Sequence, residues 1–158
     1  MLDKFKSSVF LNKESNSLES IKNLQDLKNL EETKLIFSIL ENQDKSNKLM
    51  FVGGCVRKLL NKESVNDIDI ATNLTPNKLK NILRENNINF IETGISHGTI
   101  TVVINKIKFE ITTLRKDVST DGRHANVEFI SDWETDAKRR DFTINAIYSD
   151  LKGEIYDP

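Results

Sequence analysis

Apolar residues along this chain keep two different rhythms, one near the start and another from about residue 48 onward. Leu18, Ile21, Leu24, Leu27 and Leu30 recur every third residue, and Leu35, Ile36, Ile39 and Leu40 continue in helical spacing. This predicts two helices over about 17–43, with the break between them unassigned, and Asn16 with Glu19 stands like a capping pair before the first. The run 48–52 (Lys-Leu-Met-Phe-Val) then predicts a strand that stops at Gly53-Gly54, followed by a short helix over 55–60. In 66–71, Ile68 and Ile70 alternate with Asp67 and Asp69, the period of a strand with both aspartates on one face. Thr75-Pro76 opens a helix whose buried stripe is Leu79, Ile82 and Leu83, and Asn86-Asn87 closes it.

Further along, 99–104 and 107–113 predict a hairpin turned by Asn105-Lys106, without the glycine such turns favour. The stretch 115–125 has almost no apolar content and predicts a loop, with a short strand at 127–130. A helix is predicted over 132–149, bent near Asp141, with Trp133 anchoring it to the sheet, and a terminal strand over 154–156. These strands add sheet beside the earlier ones, among helices.

Composition narrows the function classes. The chain has 158 residues and 37% hydrophobic content, enough for one domain with a core of its own. Basic and acidic residues nearly balance at 23 and 24, so no overall positive field is available to hold a nucleic-acid backbone. A single cysteine, Cys55, excludes an intramolecular disulfide and a multi-cysteine metal site, and reads as a small buried packing residue. No apolar run has the length of a membrane span and no signal sequence is evident, so the expectation is a cytoplasmic protein with no membrane partner.

The candidate chemistry lies in four places. Asp67 and Asp69 can hold a divalent metal, although an Asp-x-Asp pair also suits a merely solvated strand face. Gly53-Gly54 leaves backbone N–H groups uncovered before a helix, a seat for phosphate, and Arg57 adds full charge one turn in; the plain alternative is a tight turn. Glu110 alternates with Phe109 and Ile111 and brings a third carboxylate if its strand neighbours that of the aspartates. Three converging acids raise one another's pKa, a conflict that bound Mg²⁺ removes. Finally, Arg139 and Arg140 suit a triphosphate or an acid partner, with Asp141 and Asn145 one helical turn apart. His97 and His124 are read as loop residues or RNA-proximal contacts.

In order, Gly-Gly-Cys-Val-Arg (53–57), Asp-Ile-Asp-Ile-Ala-Thr (67–72), His-Gly-Thr (97–99), Glu-Ile-Thr-Thr-Leu-Arg (110–115), Asp-Gly-Arg-His-Ala (121–125) and Arg-Arg-Asp-Phe-Thr-Ile-Asn-Ala (139–146) resemble one known family. It is the head domain of class II tRNA nucleotidyltransferases (CCA-adding enzymes) and bacterial poly(A) polymerases. The resemblance implies an α+β nucleotidyltransferase head, a mostly antiparallel or mixed sheet of about five strands flanked by helices, and a Mg²⁺-dependent, template-independent transfer of a nucleotide from CTP or ATP to the 3′-hydroxyl of tRNA. It also implies that Asp67 and Asp69 bind the metal, with Glu110 as a third catalytic acid. Gly53, Gly54, Arg57, Arg139, Arg140, Asp141 and Asn145 would then bind the nucleotide.

On this basis 1–45 is expected to be an N-terminal helical segment and 46–158 the head. The family's neck, body and tail domains, which select the base and hold much of the RNA, are expected to be absent and supplied, if at all, by a separately encoded polypeptide. The CCA-adding reading leads; a poly(A) polymerase head, or a non-catalytic Mg·NTP-binding subunit or relic that needs a partner, stands as the alternative. One departure from the family pattern is Lys58, where an aspartate is usual.

Overall fold

The computed structural model describes residues 21–65, 67–120 and 125–158. The capping pair at Asn16 and Glu19, the tract 121–124 and His124 within it lie outside these. In the helical segment the break falls at Leu30: α1 is Leu24–Asn29 and α2 is Glu31–Glu41. Asn23 caps α1 by accepting a hydrogen bond from the Asp26 N–H, one of the donors a helix start leaves without an intrahelical partner.

The remaining elements are β1 (Leu49–Val52), α3 (Gly54–Leu60), β2 (Ile68–Thr72), α4 (Pro76–Glu85), β3 (Phe90–Gly94), β4 (Thr99–Ile104) and β5 (Ile107–Thr113). They are followed by β6 (Arg115–Thr120), β7 (Ala125–Phe129), α5 (Trp133–Lys138), β8 (Tyr148–Ser149) and β9 (Ile155–Tyr156). Seven strands form one sheet in the order β3-β4-β5-β2-β1-β8-β9, and β6 pairs with β7 in a second sheet. Every pairing is antiparallel except β2 with β5. The sheet is therefore larger than the five strands expected, gaining β3 and β8, which the sequence pattern missed.

Thr75 caps α4 and Pro76 starts it as anticipated. The Asn105-Lys106 turn is made without glycine by placing both residues at positive φ, 48° and 71°. Asparagine tolerates that region because its short polar side chain can bond locally.

Strand alternation sends one set of side chains to each face. On the first face Phe51, Ile68, Ile70, Ile100, Val102, Ile107, Phe109 and Ile111 are buried together with Leu27, Ile36, Phe37 and Leu40 of α1 and α2 and with Leu79 and Leu83 of α4. The N-terminal helices thus share one core with the sheet. Asn105 at the hairpin turn donates from Nδ2 to Glu32 Oε1 of α2 at 2.9 Å, pinning helix to sheet edge. The second face has a smaller cluster, Val52, Ala71, Leu114, Ala137, Ala146 and Tyr148, with Trp133 edge-on to Tyr148 at 5.5 Å between ring centroids. This is the anchoring role expected of Trp133.

Two expectations are corrected. Within the polar stretch expected as a loop, residues 115–120 are a strand, with Arg115↔Phe129, Lys116↔Glu128 and Asp117↔Val127 paired across β6 and β7. Its polar composition reflects a two-stranded ribbon outside the main sheet, where alternation does not have to bury one face. Nor is 132–149 one helix. α5 ends at Lys138, Phe142 has φ 63°, a 3₁₀ turn spans Thr143–Asn145, and the chain re-enters the sheet as β8 beside β1. The left-handed backbone at Phe142 cannot continue a helix, and pairing of Tyr148 with Val52 overrides local helical preference.

Candidate active site

The parallel register of β2 and β5 sets Asp69 directly opposite Glu110 and Ile70 opposite Ile111. The two isoleucines face the core, so Asp69 and Glu110 emerge side by side on the other face. Asp67 sits one residue before β2 and is exposed. Lys108, two residues before Glu110 on the same face of β5, places its Nζ 2.6 Å from Glu110 Oε1 and 3.4 Å from Asp67 Oδ1. Strand adjacency thus brings the three predicted acids to one sheet face.

Asp69 shows the electrostatic consequence. Its carboxyl is pushed up to about 6, first by burial and then by the charges of Glu110 and Asp67, against the opposing pull of Arg140 and Lys108. Lys108 is shifted upward, chiefly by its hydrogen bond to Glu110. Among the described residues no three His, Cys, Asp or Glu side chains form a finished metal cage. The donors near Asp69 are nonetheless all hard carboxylate oxygens, whose negative charge Lys108 and Arg140 offset only in part, which suits Mg²⁺ rather than a softer metal.

At the end of β1 the chain turns through Gly53, whose φ of 71° favours glycine and whose N–H donates to the Ile147 carbonyl at 2.9 Å. A Cβ there would meet the Asn145 carbonyl oxygen at 3.4 Å, so the turn sits close against the 3₁₀ segment. Arg57 Nη1 donates to Asn145 Oδ1 at 2.8 Å, so these two predicted nucleotide-binding residues touch. Asn145 also donates from Nδ2 to the Asp141 carbonyl at 3.2 Å, while Asp141 itself stays exposed. The one-turn spacing of Asp141 and Asn145 is therefore met without an α-helix. Val52 follows Phe51, which pairs with Ile70, so the glycine turn leaves β1 beside the Asp69 end of β2. Cys55 packs behind it, Sγ 3.9 Å from the Asp69 carbonyl, with its thiol pushed up to about 12 by burial, as expected of an inert core residue.

The sequence reading missed Asp136. Only 1% exposed, its carboxylate accepts from Arg139 Nε at 3.0 Å, Arg140 Nη2 at 2.9 Å, Tyr148 Oη at 2.8 Å and the Arg115 N–H at 3.1 Å. Burial pushes this carboxyl up, but Arg140 and Arg139 outweigh it and hold it below the ordinary range. Both predicted arginines, which follow the end of α5, are thus fixed by an acid of that helix three and four residues earlier, a spacing that could have flagged it. His97 is exposed, and its carbonyl accepts from the Arg115 guanidinium. Gly98 beside it has φ 77°, and a Cβ would fall 2.6 Å from the Phe129 ring, so only glycine lets the β6–β7 ribbon close on the sheet.

A seven-stranded sheet with one parallel pair, acids at that pair and a glycine turn beside them defines a nucleotidyltransferase head. The family pattern of the Poly A polymerase head domain matches residues 49–158, and the chain belongs to that family. It is 48% identical over 113 residues to human "CCA tRNA nucleotidyltransferase 1, mitochondrial", covering 71% of this chain and 26% of that protein. The chain therefore spans about a quarter of the length of such curated relatives. Its fold matches the CCA-adding enzyme of Bacillus stearothermophilus solved in complex with CTP, with TM-score 0.66 and 37% identity over 78% of this chain and 28% of that one. It also matches a tRNA nucleotidyltransferase complexed with a primer tRNA and an incoming ATP analog, with TM-score 0.58, 26% identity and coverage of 78% and 34%. The chain is thus homologous to the head of CCA-adding nucleotidyltransferases. No helix among the described residues is long and apolar enough to cross a membrane.

Proposed function

We propose that this chain is the catalytic head of a template-independent RNA nucleotidyltransferase of the CCA-adding type, transferring a nucleotide from CTP or ATP to the 3′-hydroxyl of tRNA. The observation that carries the reading is the in-register Asp69–Glu110 pair, with Asp67 beside it, holding like charges together on a half-buried face. Asp67 and Asp69 would hold Mg²⁺, and Glu110 would add a third oxygen ligand or orient the pair. Bound Mg²⁺ supplies Lewis acidity that activates the attacking hydroxyl and neutralises charge on the triphosphate. Arg57, held by Asn145, offers its guanidinium beside the Gly53-Gly54 turn for phosphate oxygens. Arg140 is bonded to Asp136 and lies near enough for its charge to ease Asp69, so positive charge is kept beside the acids without an ion pair to them. The similarity to CCA-type relatives favours this reading over a poly(A) polymerase head.

A second reading, a head that turns over only with a separately encoded neck, body and tail polypeptide, is favoured by one feature. Phe142 is 77% exposed and Ile144 51%, two bare apolar side chains at the 3₁₀ turn that carries Asn145. Mg²⁺-dependent CTP and ATP binding is measured first by calorimetry, then tRNA extension with and without that polypeptide. Asp69→Ala is expected to weaken Mg·NTP binding by about tenfold or more through loss of a cation ligand. Equal binding by the variant would overturn the metal assignment, and extension only on mixing would select the second reading.

A further inference from the structure

The cations on the acidic face differ in how firmly they are held. Arg140 is tied down: its Nε and Nη2 are bonded to Asp136, and Nε also reaches Tyr148 Oη at 3.2 Å. Lys108 is not. Its side chain is 40% exposed, carries the ammonium on a flexible four-carbon stem, and among the described residues pairs only with carboxylates, Glu110 at 2.6 Å and Asp67 at 3.4 Å. Those are two of the three oxygen donors to which the proposed function assigns the divalent cation. β5 leaves Lys108 little choice, because Ile107, Phe109 and Ile111 are buried on one face and so turn Lys108 and Glu110 out on the other. An ammonium and a hydrated divalent ion cannot both fully engage the same oxygens.

We propose that Lys108 is a resident counter-ion of the acidic face that competes with the divalent cation for Asp67 and Glu110. It lowers the cost of gathering three acids in the empty head, and it weakens cation binding until a nucleotide adds its own phosphate ligands. This rests on reading Asp67 and Asp69 as cation ligands. Lys108 is in this sense a positioning residue, acting through the carboxylates.

The test is Mn²⁺ binding to the full chain without nucleotide, followed by electron paramagnetic resonance of free Mn²⁺, with Mg²⁺ as competitor. Removing one partly exposed positive charge in Lys108→Gln is expected to tighten Mn²⁺ binding about three- to fivefold. Lys108→Glu should tighten it further, Lys108→Arg should leave it no tighter than the parent, and the gap should narrow as salt rises. Circular dichroism checks that each variant is folded. If Lys108→Gln binds Mn²⁺ no more tightly than the parent while Asp69→Asn abolishes binding, the counter-ion role is overturned and the cation site stands. If parent and Asp69→Asn bind alike, the cation site itself fails, and with it the role of Lys108.

Discussion

Asp69 and Asp136 lie on the same side of the sheet, both largely withdrawn from water, and their carboxyls are driven in opposite directions. Asp69 meets Glu110 and Asp67 and is pushed up to about 6; Asp136 meets Arg139 and Arg140 and is held low. Burial opposes ionisation in both, so the neighbours decide. Arg140 belongs to both surroundings: it is bonded to Asp136, and its charge also eases Asp69. One aspartate is thus fully paired from within the chain, and the other keeps a charge that the chain leaves partly unanswered. Pairing of the first kind builds a fold, whereas a deficit of the second kind costs stability and makes sense where a cation from outside completes it.

The comparison breaks most visibly at Asp136. Asp136→Ala removes the common partner of two guanidiniums, one hydroxyl and one backbone N–H, and leaves partly buried charges uncompensated. The expected loss is about 3–5 kcal/mol, read as a large fall in the urea midpoint. A change within error would mean that the hub does not hold α5 to β8 and to the start of β6.

Asp69→Asn should act with the opposite sign. A group whose folded pKa exceeds its ordinary value binds more protons folded than unfolded, so its contribution to stability declines as pH rises from 3.8 to about 6. Above that window the ionised parent bears the full cost and the neutral variant does not. With EDTA present at pH 7, Asp69→Asn should be more stable by about 1–2 kcal/mol after allowance for solvent screening. The advantage should vanish below pH 4, where parent and variant are both neutral at this position. Thermal melts across pH 3.5–7.5 check this, and added Mg²⁺ should close the gap at neutral pH by stabilising the parent alone.

The contrast also separates what could be read from the chain from what could not. Asp69 and Glu110 stood out because each interrupts an apolar alternation, and polar residues at period two within a strand declare a face. Their meeting required only that the two strands be neighbours, and β2 and β5 pair in register. Asp136 was hidden by its surroundings. It sits among Glu134, Thr135 and Lys138 in a stretch that looks like any solvated helix, and its burial comes from Tyr148 and Arg115, which arrive from other elements. The helix over 132–149 was misread for the same reason, since re-entry of β8 beside β1 is a long-range pairing with no local signature beyond two residues, Tyr148 and Ser149. β6 escaped because a strand outside the main sheet need not bury alternate residues, whereas the short strand expected at 127–130 overlaps its partner β7.

The finest test is Tyr148→Phe. The ring should remain, since it is buried against Trp133 at 5.5 Å and the substitution keeps its shape. Only the hydroxyl goes, which donates to Asp136 Oδ2 at 2.8 Å and accepts from Arg140 Nε at 3.2 Å. Asp136 keeps its arginines and the Arg115 N–H, so about 1 kcal/mol should be lost at neutral pH. The pH dependence is the sharper readout. Because the folded Asp136 carboxyl lies below its ordinary 3.8, its stabilising contribution is present above that value and is lost as pH falls through the folded pKa. Removing a donor to the ionised form raises that folded pKa, so acid unfolding should begin at a higher pH in the variant, followed by circular dichroism. Unchanged acid unfolding would mean that the two arginines alone set the Asp136 charge. Asp69, with which the Tyr148 hydroxyl makes no hydrogen bond, should respond to Mg²⁺ in the variant as it does in the parent.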